Sequence, residues 1–210
     1  MNRKGILIVL SGFSGAGKGS IVKRLLSDYD QYALSVSATT RSPRPGEEDG
    51  IAYFFKTKQE FEDMIAKDAF IEYARYVDNY YGTPKEYVQR QLDAGRDVIL
   101  EIEIQGARKV KAQYPDTLML FVVTPDAATL KERLTGRGTE SPDVIHDRLK
   151  RAAEEAEGIE DYDYLVVNDN LDTCVAQVHA LIESEHCRIS RNADYIKEMQ
   201  QEMNCFLKGE

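Results

Sequence analysis

Gly12-Phe13-Ser14-Gly15-Ala16-Gly17-Lys18-Gly19-Ser20 is the stretch whose reading decides the fold. It follows an apolar run, Ile6 to Leu10, and precedes a helical pattern with Ile21, Val22, Leu25 and Leu26 on one side and Lys23 and Arg24 on the other. A run of apolar residues without alternation reads as a strand buried on both faces, the kind found in parallel sheets. Strand, glycine-rich loop and helix in that order make a phosphate cradle. The glycines let backbone N–H groups turn inward, the helix adds the positive end of its dipole, and Lys18 reaches the terminal phosphates. The pattern asks for Ser or Thr directly after the lysine to hold Mg²⁺; here Gly19 stands in that place and the hydroxyl comes one residue later, at Ser20.

The rest of the chain bounds what such a cradle can serve. Its 210 residues, 42% hydrophobic, suit one domain with insertions. A net charge of -9 argues against general affinity for nucleic acid or an anionic membrane, so a nucleotide site must gather its own positive charge. No run approaches the roughly 20 apolar residues of a membrane span, and Met1-Asn2-Arg3-Lys4 leads straight into a strand, so the expected location is cytoplasmic. Cys174, Cys187 and Cys205 are too few and too far apart for a zinc site or disulfide framework, and His146, His179 and His186 have no partner at metal spacing. These histidines read as surface or packing residues.

Downstream of the first helix, which ends near Asp28, a second strand is expected over Tyr32 to Val36. Ser37-Ala38-Thr39-Thr40-Arg41-Ser42-Pro43-Arg44-Pro45-Gly46 follows as an ordered loop presenting two arginines and several hydroxyls. A strand is expected from Ile51 to Phe55, and Thr57-Lys58-Gln59-Glu60 is a capping box for a helix with Phe61, Met64 and Ile65 inward. Phe70 to Tyr73 and Tyr76-Val77 read as short strands, Asn79-Tyr80-Tyr81-Gly82 as a turn, and Thr83-Pro84-Lys85-Glu86 as the cap of a helix running to Gly95. Residues 37–92 thus form an α+β insertion.

The parallel pattern resumes at Asp97-Val98-Ile99-Leu100. It ends in Glu101-Ile102-Glu103, two carboxylates with the same facing, at the sheet edge where open α/β proteins bind ligands. A helix over Gly106 to Gln113, a strand over Leu118 to Val123 and a helix carrying Leu130 and Leu134 come next. Ser141-Pro142-Asp143 opens a helix to Gly158 that carries Arg148 and Arg151 and has only a thin apolar stripe, which suits a mobile hairpin. The last strand is Tyr164 to Val167 with Asn168 at its end, covered by a helix from Leu171 to Ile182. The expected fold is α/β, a three-layer P-loop fold with a parallel central sheet. Its core comprises 4–36, 93–124 and 159–188, with the insertion at 37–92 and a helical lid at 125–158. A helical extension, 189–210, carries Ile196, Met199, Met203 and Phe206 at helical spacing, and both packing on its own domain and a homo-oligomer contact are open.

Phosphate loop, inserted module and arginine-bearing lid describe a two-substrate phosphotransferase. That chemistry needs both phosphates in line, Mg²⁺, positive charge on the transferring group and exclusion of water. Lys18, Arg41, Arg44, Arg133, Arg137 and Arg148 supply the charge, and the guanidinium fork matches phosphate oxygens in pairs.

The loop at 12–20, the segment from Ser37 to Glu47, Asn79-Tyr80-Tyr81-Gly82-Thr83, Gln105-Gly106, Gly136-Arg137-Gly138-Thr139-Glu140 and Val167-Asn168-Asp169 together resemble the guanylate kinase family over roughly Lys4 to Arg188. The resemblance implies transfer of phosphate from ATP, with Mg²⁺, to GMP and to dGMP. By it, Gly12, Phe13, Ser14, Gly15, Ala16, Gly17, Lys18, Gly19, Ser20 and Asn168 bind ATP. Arg41, Arg44, Tyr53 and Tyr81 hold the GMP phosphate, and Ser37, Glu72 and Thr83 read guanine, with Glu101 and Glu103 nearby. Lys18, Arg41, Arg133, Arg137 and Arg148 act on the transferring phosphate. Guanine's N1–H and N2–H₂ donors suit a carboxylate such as Glu72, and its O6 suits a hydroxyl. The family usually has Asp at one or both of positions 101 and 103. With Gly19 after the lysine, no direct protein ligand to Mg²⁺ is expected: phosphates and waters hold it, oriented by Glu101 or Glu103, and Ser20 meets a phosphate. Two other readings stand beside this one: a non-catalytic interaction module on the same fold, and a nucleoside monophosphate kinase with another base preference.

Overall fold

The computed structural model describes residues 4–76, 78–136 and 142–208. The first strand and helix, β1 (Leu7–Gly12) and α1 (Lys18–Asp28), flank the glycine loop and lead to β2 (Tyr32–Leu34). The insertion contains β3 (Ala38–Thr39), β4 (Phe54–Phe55), α2 (Lys58–Ala66), β5 (Phe70–Tyr76), β6 (Asn79–Pro84) and α3 (Lys85–Asp93). Then come β7 (Asp97–Glu101), α4 (Ile104–Gln113), β8 (Leu118–Val123), α5 (Ala127–Thr135), α6 (Pro142–Ala156), β9 (Tyr164–Val167), α7 (Leu171–His186) and α8 (Ala193–Lys208).

The central sheet has the order β2-β7-β1-β8-β9 and is parallel throughout. Consecutive β1 residues enter opposite faces, which is why the run needs no polar alternation. Ile8 and Leu10 pack with Ile21 and Leu25 of α1 and Val175, Val178 and Ile182 of α7. Leu7 and Val9 pack with Val88 of α3 and Ala107 and Val110 of α4. The expected α/β class and parallel core are therefore the ones observed. At the opposite end of the sheet from the glycine loop, buried Asp97 accepts the Ile6 N–H at 2.8 Å and lies 2.8 Å from His186 Nε2. His186 thus has a buried carboxylate partner that sequence spacing could not show.

The insertion departs from expectation in several places. Its sheet has the order β4-β3-β6-β5, and Asn79-Tyr80-Tyr81-Gly82, read as a turn, lies inside β6. The reason is cross-strand pairing: β5 runs from Phe70 to Tyr76 and, with a register shift between Phe70 and Glu72, pairs antiparallel with β6 down to Tyr76 and Asn79. The first expected strand thus extends to Tyr76, while Val77 of the second lies outside the described residues. Gly82 is needed for close approach, because a Cβ on it would lie 2.9 Å from Tyr73 Cβ. Thr83 does not cap a helix: α3 begins after Pro84 with no side-chain cap, while the capping box at Thr57 and Glu60 forms in full. The strand expected over Ile51 to Phe55 shrinks to its last two residues, leaving Ile51 70% exposed.

The lid stripe packs on a small cluster of Leu130, Leu134 and Ala152, joined by Ile145, Leu149 and Phe13 of the glycine loop. Along α8, Ile196 and Met199 are half-buried, but Met203 and Phe206 are exposed, so packing on its own domain does not account for the stripe. Among the described residues, no helix is long and apolar enough to cross a membrane.

Candidate active site

The donor half of the site is made of backbone. Gly12 has φ +148°, and a Cβ there would lie 2.1 Å from the Val122 carbonyl oxygen of the neighbouring strand. Gly17 caps α1 in the left-handed conformation with no side-chain cap, so no capping side chain competes with an anion at the helix N-terminus. Asn168, buried at the end of β9, donates Nδ2–H to the Ala16 carbonyl at 2.7 Å and would meet a Cβ on Gly17 at 2.5 Å. It therefore holds the loop from below. Lys18 Nζ donates to the Gly12 and Phe13 carbonyls at 2.6 and 3.2 Å, over the same loop. Ser14, Gly15, Gly17, Lys18, Gly19, Ser20, Lys23 and Glu101 line a cavity of about 460 Å³.

Glu101, at the C-terminal end of β7 and in register with Leu10, borders both halves of the site. Burial pushes its carboxyl above the ordinary range, and the Lys18 charge partly offsets this. A Cβ on Gly19 would touch its carboxylate, at 3.7 Å. Glu103 separates from it, because the strand ends at Glu101 and period-two alternation stops there. Glu103 starts α4, is 69% exposed, stands 3.8 Å from Arg151 of α6, and lines another cavity with Arg108, Glu154 and Glu155. The paired facing expected of the two carboxylates is not what the structure shows.

The acceptor half is made of side chains. Leu34, Ser35, Ser37, Ala52, Tyr53, Thr83, Leu100, Glu101 and Ile102 line a cavity of about 180 Å³. Thr83 and Glu72 are cross-strand neighbours on β6 and β5, and the buried Thr83 hydroxyl donates to Glu72 Oε1 at 2.8 Å. Burial raises the Glu72 carboxyl above its ordinary pKa, with the Thr83 hydrogen bond acting against the rise. At the outer end, Arg41 Cζ lies 5.3 Å over the Tyr53 ring, and the Tyr53 and Tyr81 rings meet edge to face at 6.1 Å. Arg41 Nη2 donates to both carboxylate oxygens of Glu47, at 2.8 and 2.9 Å, and Arg44 is exposed beside them.

Of the lid arginines, Arg148 Nη1 donates to Ser14 Oγ at 3.2 Å, joining lid to loop. Arg133 Nη2 donates to the Asp169 carbonyl at 3.2 Å. Arg137 lies outside the described residues. Glu155 escaped the sequence reading: burial raises its carboxyl, and Lys18 acts against the rise. Its spacing from Arg148 and Arg151 puts all three on one face of α6, a signal that could have found it. Tyr162, whose hydroxyl burial pushes up to about 12, sits beside Ser11 and had no local signature.

Comparison with known proteins agrees with this geometry. The family model described as guanylate kinase matches residues 4–185. A guanylate kinase of Latilactobacillus sakei subsp. sakei is 49% identical over 200 residues, covering 95% of this chain and 98% of its own. One from Caldanaerobacter subterraneus subsp. tengcongensis is 48% identical over 202 residues, covering 96% and 98%. Among solved structures, guanylate kinase from Anaplasma phagocytophilum superposes with a TM-score of 0.69 at 28% identity, covering 90% of each chain.

Proposed function

Since the chain belongs to the guanylate kinase family and phosphorylates GMP from ATP, we propose the following division of labour among its residues. The glycine loop takes the ATP phosphates on its N–H groups, and Lys18 exchanges the Gly12 and Phe13 carbonyls for phosphate oxygens. Because the lysine already sits over the loop, little rearrangement is needed. Arg41 and Arg44, with Tyr53 and Tyr81, hold the GMP phosphate; Ser37, Thr83 and Glu72 hold the base. An oxygen of the GMP phosphate then attacks the γ-phosphorus in line and ADP leaves, with no covalent enzyme intermediate. Arg148, bonded to Ser14, draws the lid over the loop, and with Arg133 and Arg137 it places positive charge on the transferring group and excludes water.

The lining fits Mg²⁺ held through phosphates and waters: a carboxylate, Glu101, borders the loop cavity, and hard oxygen groups are what that ion and its waters favour. When bound, it would supply positive charge to the transferring phosphates. Glu101 would orient its waters.

The observation that supports this assignment is Glu101 at the border of both cavities, the arrangement expected if donor and acceptor phosphates meet at the end of β7. A panel of GMP, dGMP, AMP, UMP and CMP, followed by ADP release, tests the base assignment. GMP and dGMP should react with the others lower by about 10²-fold or more, the loss expected when a buried carboxylate finds no donor pair. Comparable turnover of AMP would sink it.

A further inference from the structure

We propose that Glu47 is a positioning residue for the GMP phosphate, a fixed carboxylate that aims Arg41 into the site; this rests on the assignment of Arg41 and Arg44 to that phosphate.

The geometry is specific. Glu47 accepts from Arg41 Nη2 through both oxygens, and its Oε2 also accepts the Arg44 backbone N–H at 2.8 Å. Its own N–H donates to the Arg44 carbonyl at 3.0 Å, closing the turn. The carboxylate is therefore part of the loop's fold and cannot swing aside without undoing the turn that carries Arg44. Both partners are mostly shielded, with side chains 15% and 22% exposed.

Arginine has five N–H donors in a fixed plane. Here Nη2 is engaged with Glu47 and Nη1 with the Ser42 carbonyl at 2.8 Å. The remaining donors stay on a guanidinium whose plane is set by Glu47 on one side and the Tyr53 ring on the other. A flexible arginine would lose rotamer freedom on binding phosphate; one already tied down loses less, so the substrate meets a prepared donor. Hydrogen bonds from Arg41 and from the Arg44 backbone keep Glu47 ionised below the usual carboxylate range. Arg41, Arg44 and Glu47 together present one net positive charge, with the exposed Arg44 side chain as the second phosphate partner.

The test is steady-state kinetics of Glu47→Gln, with guanosine as a competitive inhibitor that carries the base but no phosphate. The GMP KM should rise about tenfold, the worth of a lost charge-assisted hydrogen bond, while kcat, the ATP KM and the guanosine inhibition constant stay within about twofold. An unchanged or lower GMP KM overturns the proposal, the second case making Glu47 a competitor of phosphate. An equal rise for GMP and guanosine also overturns it, since that would be general collapse of the loop. If Glu47→Gln melts at a much lower temperature, Glu47→Asp keeps the charge but shortens the reach, and the same pattern is expected with smaller size. Failure of the unaltered protein to phosphorylate GMP would overturn the underlying assignment instead.

Discussion

On the assignment proposed above, the groups that face phosphate in the donor half of the site are backbone N–H groups, and their direction is set by glycine conformations that no other residue adopts easily. In the acceptor half, the groups that face substrate are side chains, and their direction is set by other side chains: Glu72 by Thr83, Arg41 by Glu47 and Tyr53. Backbone donors need no rotamer fixed and serve any polyphosphate, so they bind tightly without choosing a base. Side chains can match a particular pattern of donors and acceptors, but each needs a partner to hold it. General affinity therefore resides in the loop and selectivity in the insertion.

The comparison can be strained at its charged members. Lys18→Met should have the largest effect, lowering turnover by on the order of 10³-fold with all nucleotides equally. The melting temperature should stay within a few degrees, since Lys18 is half-exposed and its ammonium bonds carbonyls of its own loop. Turnover assays beside a thermal melt check this, and activity within tenfold of the parent would break the assignment.

Next in size, Glu72→Gln should lower kcat/KM for GMP by about 10- to 100-fold, the worth of hydrogen bonds to a charged group, and leave the ATP KM alone. Its stability should move the other way. Glu72 is an acid whose pKa rises on folding, so its contribution is full below the unfolded pKa and is lost as pH rises through the folded one. At neutral pH the parent bears the cost of a buried carboxylate and the Gln variant does not. The variant should melt at the same or a higher temperature there, and a clear drop would mean that Thr83 and Glu72 form a structural pair first.

The smallest effect is on pH dependence. With the Glu72 pKa raised by burial, the GMP KM of the parent should begin to rise, on acidification, at a higher pH than the ordinary Glu value of about 4.3 would allow. The phosphate of GMP also titrates, near 6, but it does so equally in both proteins. The difference between parent and Glu72→Gln profiles isolates Glu72, and superimposable profiles would remove the carboxylate from base recognition.

Much of the donor half was legible in the sequence because it is local: strand, loop and first helix lie within 22 residues, Leu7 to Asp28, and their chemistry depends on neighbours along the chain. The elements of segment 37–92 were misread in detail. Thr83 looked like a cap because Thr-Pro-Lys-Glu is a good local start for a helix, but pairing of β5 with β6 put its hydroxyl against Glu72. Asn79 to Gly82 has the composition of a turn, yet Gly82 serves close packing beneath Tyr73. Glu47 carried no signal of its own and Glu155 only its spacing from Arg148 and Arg151, since each matters through a partner. The partner of Glu47, Arg41, is six residues away; that of Glu155, Lys18, belongs to another element.

By itself, then, the sequence determined the parallel α/β core and the strand, glycine loop and helix at its start, because hydrophobic period, glycine placement and motif spacing act over short range. Only the tertiary structure decided which carboxylate faces which cavity. Glu101 and Glu103 are two residues apart, but the strand ends between them, sending one to the substrate border and the other to Arg151 under the lid. Where a strand stops is set by the strands and helices packed against it, and that information is not local to the residues whose roles it divides.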